Sequence, residues 1–267
     1  MTLAHPEKLS FKQRLKSGQR LVGVRSQLCS PIVAEALGFS GFDYVYLDME
    51  HSPNNLMTVL LQCQSLAGTP AVPVVRLPTN DIVLIQQLLD IGVENIVVPM
   101  VESVEAAAHA ASAMRYPPAG IRSVARVHRG NKYGRDAAEY DRTVDDRVCF
   151  LAQIESRNAL KIIADIANVD GVDGVLFGPG DIAADFGYMG QTEHPEVLGA
   201  ITEGIRAALA TGKLVGMSTA DAKLGREWLD KGCRFVSVGG ELQMMMKTAR
   251  LSAKAAGALA ATLEDAN

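Results

Sequence analysis

The chain has 267 residues, with 26 Lys+Arg against 30 Asp+Glu and a formal net charge of -4. Its length fits one large domain or two small ones, and a chain of this size buries roughly 70–75% of its unfolded surface without needing staples. At 48% hydrophobic and 21% charged, the composition excludes a disordered, collagenous or disulfide-scaffold protein, and the mild acidity argues against nucleic-acid and membrane-surface partners.

The opening residues, MTLAHPEKLSFKQRLKSGQR, lack the apolar core of a secretory leader. No stretch approaches the roughly 18 apolar residues of a membrane span, so cytoplasm is the expected compartment. Short apolar runs then recur, each followed by a helical pattern. Residues 21–25 (LVGVR) precede PIVAEALG, residues 42–48 (FDYVYLD) precede NLMTVLLQCQSLAG, and residues 71–77 (AVPVVRL) precede DIVLIQQLLDIG. Residues 94–100 (ENIVVPM) precede SVEAAAHAASAM, and residues 149–155 (CFLAQIE) precede SRNALKIIADIANV. Residues 174–178 (GVLFG) precede DIAADFG and then PEVLGAITEGIRAALATG. Residues 214–218 (LVGMS) precede DAKLGREWLDKG, and residues 234–239 (RFVSVG) precede a C-terminal helix rich in Met and Ala.

These runs are nearly all apolar and β-branched, as strands covered on both faces should be. Gly38, Gly92, Gly212 and Gly232 supply helix stops. Eight βα units in this length predict a single α/β domain, a TIM (β/α)8 barrel. A doubly wound open sheet is the competitor, but no Gly-rich dinucleotide fingerprint follows the first strand.

One segment breaks the rhythm. Residues 115–147, RYPPAGIRSVARVHRGNKYGRDAAEYDRTVDDR, form a polar excursion between strands four and five. A connection this long is expected to be a lid or an interface loop, unless it is a solvated detour of mixed charge. The four cysteines, Cys29, Cys63, Cys149 and Cys233, have no metal or redox spacing and read as reduced core thiols.

A barrel carries its active site at the C-terminal ends of its strands. Here those ends carry Arg25, then Asp48, Met49, Glu50 and His51, then Arg76, Pro99, Gln153 with Glu155, Gly178-Pro179-Gly180-Asp181, and Ser218 with Thr219. Charged groups ending apolar strands must be solvated, paired or metal-bound, and a ring of structural salt bridges is the plain alternative to a site. Glu155 and Asp181 close adjacent strands, and two converging carboxylates repel unless a cation or proton sits between them. With hard oxygen ligands and no neighbouring His or Cys, the cation of choice is Mg²⁺ or Mn²⁺. An acid/base carboxylate pair of the glycosidase kind stays open at this point.

Of the five histidines, only His51 sits at a strand end, where an imidazole can serve as base near neutral pH. Arg76, in VVRLP, places a planar donor group that suits a carboxylate or a developing oxyanion. Gly178, Pro179, Gly180 and Asp181 open a helix whose free N–H groups can hold an anionic head group. The set suits a substrate with adjacent carboxylate and keto oxygens and a reaction through an enolate.

The motifs LDMEHSP, VVRLP, LLDIGVENIVVPMVES, RYPPAGIRS, QIES and GVDGVLFGPGDIAADFG resemble, in order and spacing, the HpcH/HpaI aldolase family of metal-dependent class II pyruvate aldolases. The likeness runs from about Leu21 to Gly239. It implies reversible cleavage of a 4-hydroxy-2-oxo acid to pyruvate, or a close 2-oxo acid such as hydroxypyruvate, and an aldehyde through a metal-held enolate. The alternatives are another enolate-forming lyase on the same scaffold, such as a 2-oxo acid decarboxylase or a citramalyl-type lyase, and a non-catalytic metabolite-binding protein.

The resemblance implies roles by position. Glu155 and Asp181 match metal-binding acids, with Mg²⁺, Mn²⁺ or Co²⁺ as the ion. His51 matches the catalytic base, and Asp90 the acid that orients it. Arg76 matches the arginine on the enolate oxygen, Gln153 a substrate-contacting glutamine, and Gly180 and Asp181 the amides that hold the pyruvate carboxylate. The resemblance also implies a hexamer with an exchanged C-terminal helix, with which the MMMK stretch and Ala-rich tail are compatible. Two positions depart from the family: Arg25 stands where relatives commonly have Trp, and Ser123 where they commonly have Gly. Both are expected to reshape the aldehyde side of the pocket.

Overall fold

In the computed structural model, which describes residues 9–257, eight parallel strands close into a barrel in sequence order. They are β1 (Leu21–Ser26), β2 (Tyr44–Asp48), β3 (Val72–Arg76), β4 (Asn95–Val98), β5 (Cys149–Ile154), β6 (Gly174–Phe177), β7 (Leu214–Thr219) and β8 (Phe235–Gly240). The β1–β8 pairing completes the ring, with Leu21 beside Phe235 and Arg25 beside Gly240. The helices are α1 (Phe11–Lys16), α2 (Pro31–Gly38), α3 (Leu56–Leu66), α4 (Ile82–Asp90), α5 (Val104–Met114), α6 (Ala137–Arg147), α7 (Arg157–Lys161), α8 (Ile163–Asn168), α9 (Pro179–Asp185), α10 (Pro195–Ala210), α11 (Ala222–Asp230) and α12 (Glu241–Ala255). Several begin on a side chain that accepts the orphan N–H of the first turn: Ser30, Asn55, Asp81, Ser103, Ser156 and Asp221.

Strand alternation divides the core in two. Outward residues such as Val45, Leu47, Val75, Ile96, Phe150, Val175 and Val236 pack against the helices. Inward residues, among them Leu21, Tyr44, Tyr46, Val74, Val97, Leu151, Leu176 and Phe235, fill the barrel. Gly216 makes room for this filling, since a Cβ there would lie 2.1 Å from the Phe235 ring. No helix among the described residues is long and apolar enough to cross a membrane.

The N-terminal residues form α1, which the strand-helix rhythm does not announce. Phe11, 1% exposed, and Leu15 plug the end of the barrel where the strands begin. The Phe11 ring meets Tyr44 and Phe235 edge-on, at 5.4 and 6.0 Å between centroids. Lys12 bonds the carbonyls of Asp145 and Val148 and pairs with Asp173 at 2.9 Å.

The excursion after α5 differs from expectation in two ways. It is not loop throughout, since it holds the 3-10 turn Arg129–Asn131 and helix α6. It also follows a helix and precedes a strand, which puts it at the N-terminal face of the barrel. Its anchors confirm this: the Asp90 carbonyl meets His128 Nδ1 at 3.3 Å, and Arg129 donates to the Ile91 carbonyl at 2.6 Å, both at the end of α4. It is therefore no lid over the mouth of its own barrel.

Helix α12 leaves the barrel largely uncovered by its own side chains. Only Glu241 of its residues is buried, while Met244, Met245, Met246 and Leu251 are exposed. The Ala-rich tail beyond it lies outside the described residues.

Phe11→Ala should cost about 3–5 kcal/mol, the usual result of deleting a buried ring, read from urea denaturation. A loss below about 1 kcal/mol would show that α1 is not a structural plug.

Candidate active site

The inward residues change character along the barrel axis. Leu21, Tyr44, Cys149 and Phe235 form its base, Tyr46, Val74, Val97, Leu151 and Leu176 its middle. The next inward positions are Arg25, Asp48, Arg76 and Gln153, followed by Gly178, Ser218 and Gly239 on the remaining strands. All of these except the fully buried Asp48 line, with His51 and Asp181, a cavity of about 440 Å³ at the C-terminal mouth.

Arg76 is 4% exposed and is held by two acids. Its Nε donates to Asp48 Oδ1 at 2.9 Å and one terminal nitrogen donates to Asp48 Oδ2 at 2.6 Å. The other terminal nitrogen lies 2.7 Å from Glu50 Oε2. Burial alone would raise the Asp48 pKa, but the fork of Arg76 outweighs it and holds the carboxyl below its usual range. Glu50 goes the other way, raised by burial in spite of Arg76 and His51. Asp48 Oδ1 also accepts the backbone N–H groups of Glu50 and His51 at 3.0 and 3.3 Å. One carboxylate thus fixes both the guanidinium and the turn that carries His51.

Glu155, 2% exposed, directly follows β5 at the same end of the barrel. Its Oε2 accepts from the Met100 N–H at 2.9 Å and its Oε1 from Gln153 Nε2 at 2.5 Å. Met100 reaches it from a left-handed backbone conformation, φ 49°, a region that favours glycine. Gln153 is set in turn by the Tyr46 hydroxyl, which donates to its Oε1 at 3.3 Å. Burial pushes the Glu155 carboxyl up to about 7; the Met100 bond opposes this, and Glu50 and Asp181 add to it. Gly178 is needed beside it, because a Cβ there would lie 2.7 Å from Glu155 Oε1. Asp181, exposed in the first turn of α9, faces the same cavity.

Glu155 and Asp181 fit a hard divalent cation. Neither acid forms an ion pair among the described residues, and Gly178 keeps side-chain bulk away from Glu155 Oε1. No group of three His, Cys, Asp or Glu side chains that could cage a metal exists among the described residues. A cation here would draw its remaining ligands from water and substrate, as Mg²⁺ and Mn²⁺ commonly do.

Two of the expected site residues stand away from this mouth within one chain. Helix α4 runs antiparallel to the strands, so Asp90 at its last turn lies at the N-terminal face, opposite His51. There its carboxylate pairs with the buried Arg122 at 2.8 Å. The acid beside His51 in the same chain is Glu50, at 3.9 Å. Ser123, next to Arg122 in the excursion, also lies away from the mouth and does not shape the cavity of its own barrel. Asp48 and Glu50, seen in the sequence only as strand-end acids, prove to be the anchors of Arg76. The parity of β2, with Tyr44, Tyr46 and Asp48 all inward, was the signal that could have placed Asp48.

Fold and mouth together define a (β/α)8-barrel enzyme scaffold with an acid-rich site. The chain belongs to the HpcH/HpaI aldolase/citrate lyase family, whose pattern matches residues 22–248. It is 42% identical over 256 residues to a 4-hydroxy-2-oxo-heptane-1,7-dioate aldolase of Escherichia coli, covering 96% of this chain and 97% of that one. A Klebsiella pneumoniae protein of the same name is 44% identical over 241 residues, 90% of this chain and 91% of the other. The crystal structure of a family member from Burkholderia cenocepacia superposes with a TM-score of 0.87 at 31% identity, covering 92% of this chain and 98% of that chain.

The raised Glu155 pKa has a stability consequence. The folded, metal-free protein binds more protons at Glu155 than the unfolded chain between about pH 4.5 and 7, so this group makes stability fall as pH rises through that window. Glu155→Gln should remove that component. In thermal melts of metal-free protein at pH 5 and pH 8, wild type should lose more stability than the variant; parallel losses would refute the burial effect.

Proposed function

We propose that this chain is a metal-dependent aldolase that reversibly cleaves a 4-hydroxy-2-oxo acid to pyruvate, or a close 2-oxo acid, and an aldehyde. The observation that carries the reading is a buried Glu155 whose carboxyl is raised in part by Asp181, with Asp181, the doubly clamped Arg76 and His51 lining one cavity. The aldolase names of the relatives support it.

A divalent cation held by Glu155 and Asp181 would polarise the keto oxygen of the substrate. Two of the five N–H donors of Arg76 are committed to Asp48, and Glu50 pairs with its other terminal nitrogen at 2.7 Å. The donors that Asp48 does not use would serve that oxygen as negative charge develops on it. The backbone N–H groups of Gly180 and Asp181, at the start of α9, receive the carboxylate of the oxo acid, with Gly178 and Pro179 shaping the turn. Gln153 packs against the same group of oxygens.

In cleavage, the hydroxyl at C4 loses its proton, the C3–C4 bond breaks, and its electron pair moves to C3 as C4 becomes an aldehyde. The resulting enolate takes a proton at C3 to become the methyl of pyruvate. His51, half-exposed at the rim with its side chain 56% accessible, carries these protons. The reverse reaction begins with removal of a methyl proton by the same group.

The assembly completes this reading. Asp90 meets His51 only if a second copy brings its N-terminal face to this mouth. Exposed Ile121, Val124, Val127 and Tyr133 on the excursion, and the exposed methionines of α12, support a homo-oligomer, proposed as a hexamer with α12 exchanged. Four unpaired cysteines accord with a cytoplasmic setting.

Chelation should abolish aldol cleavage, and Mg²⁺, Mn²⁺ or Co²⁺ should restore it; full turnover in excess chelator rejects the metal. Arg76→Lys should lower kcat by about 100-fold or more, as loss of an oxyanion donor does, because an ammonium cannot reproduce the fork. A change confined to KM would place Arg76 in docking alone. His51→Ala should slow cleavage and the exchange of pyruvate methyl protons together. Asp90→Asn should do less, and should lower the pH of the acidic limb, because a carboxylate beside an imidazole raises its pKa. Exchange unaffected by His51→Ala would move the proton to another group.

A further inference from the structure

Of the residues of helix α12 only the first, Glu241, is buried, and it is an acid, 7% exposed. Its Oε1 reaches across to the end of β1. There it accepts the backbone N–H groups of Gln27 and Leu28 at 2.5 and 2.7 Å and the Ser26 hydroxyl at 3.3 Å. Its Oε2 is buried with no hydrogen-bond partner among the described residues. A carboxylate kept in that position costs free energy. What it secures is the path of the chain from Ser26 to Leu28, because an apolar side chain of the same size would leave two N–H groups without an acceptor.

The loop held in this way lies against the turn that carries His51. Gln27 Nε2 points at two atoms of that turn, Asp48 Oδ2 at 3.5 Å and the His51 carbonyl at 3.4 Å. Cys29 Sγ lies 3.9 Å from Ser52 Oγ, and Ser52 donates to the Asp48 carbonyl. Cys29 itself sits at φ 54°, a left-handed conformation that a side chain adopts when its surroundings impose it. Each contact between loop and turn is long, so together they place the turn only while the loop is fixed, and Glu241 is the group that fixes it. Neither Gln27 nor Glu241 lines the cavity, so their effect on the reaction passes through other residues.

We propose that Glu241 is a positioning residue for His51. It holds the loop between β1 and α2, and through Gln27 that loop supports the imidazole-bearing turn from the β1 side, as Arg76 supports it through Asp48 from the β3 side. The proposal rests on the aldolase reading and names a support of the same site that comes from the last strand-helix junction of the barrel.

The test compares Glu241→Ala, Glu241→Gln, Gln27→Ala and the double variant Glu241→Ala/Gln27→Ala with wild type. The readouts are solvent exchange of pyruvate methyl protons with Mg²⁺, kcat and KM for cleavage of 4-hydroxy-2-oxopentanoate, and thermal melts. Glu241→Ala should lower kcat and exchange together by about 10- to 100-fold, as a displacement of a reacting group by about an ångström does, with KM little changed. Gln27→Ala should lower both by about 3- to 10-fold, the value of one hydrogen bond. Glu241→Gln keeps an acceptor oxygen for the two N–H groups and should retain most of the rate, a rescue that a purely structural acid would not link to kcat. The double variant should be no slower than Glu241→Ala, because both residues act along one chain of contacts. Losses that multiply in the double variant overturn the proposal. So do a lower melting temperature with kcat and exchange intact, an effect confined to KM, and a Glu241→Gln variant as slow as Glu241→Ala. Should Glu241→Ala not fold, Gln27→Ala decides, and wild-type exchange in that variant overturns the proposal. Exchange that survives in every variant removes only the role of Glu241, whereas absence of exchange in wild type removes the aldolase reading with it.

Discussion

Burial takes Arg76 out of water, and a guanidinium so placed stays in position only while carboxylates meet it. Asp48 meets it as a two-point fork and Glu50 from the other side. Because Asp48 also accepts the N–H groups of Glu50 and His51, the clamp determines the path of the chain just past β2. The position of the imidazole is thus tied to that of the guanidinium through one carboxylate. Removing Asp48 would leave a buried cation half-paired and would release the turn at the same time, so its loss would not resemble the loss of a simple surface ion pair.

The barrel supplies the setting for this clamp by grading its interior. Aromatic and aliphatic residues fill the base and middle, sealed by α1 through Phe11 and Leu15. A closed apolar floor lowers the effective dielectric beneath the mouth, and electrostatic interactions above it gain in strength. The same floor explains the Glu155 carboxyl, pushed up to about 7 first by burial and then by its acidic neighbours. An acid kept so close to neutral pH by its surroundings is a site where a cation gains more than at an ordinary surface carboxylate.

The barrel was legible because strands covered on both faces read as unbroken apolar runs, and eight of them alternate with helical patterns. Most of the mouth followed from it, since strand ends in a barrel share one rim; Arg25, His51, Arg76, Gln153 and Asp181 all line one cavity. What escaped was three-dimensional. Helix α1 is six residues long and recognisable only by what it plugs. The pairing of Arg76 with Asp48 and Glu50 depends on side-chain reach between β2 and β3, which spacing along the chain does not encode. The place of Asp90 was hidden for a related reason: a motif in linear order carries no face of the barrel with it, and the direction of α4 sends Asp90 to the far end of its own barrel.

Arg25 and Arg76 show how far environment, rather than residue type, assigns a role. Both end inward-facing strand positions and both face one cavity. Arg76 has its carboxylates, Asp48 and Glu50, supplied by the neighbouring strand β2 and the turn after it. Such a preorganised cation needs no rearrangement when charge develops in the transition state, the property on which electrostatic catalysis depends. Arg25 has a tyrosine on one side and a glycine on the other and forms no ion pair among the described residues. A cation in that position contributes through the ligand it meets, and its value is a difference between ligands that carry an anion and those that do not. One barrel mouth thus holds two guanidiniums that differ in whether the fold has already supplied their partners.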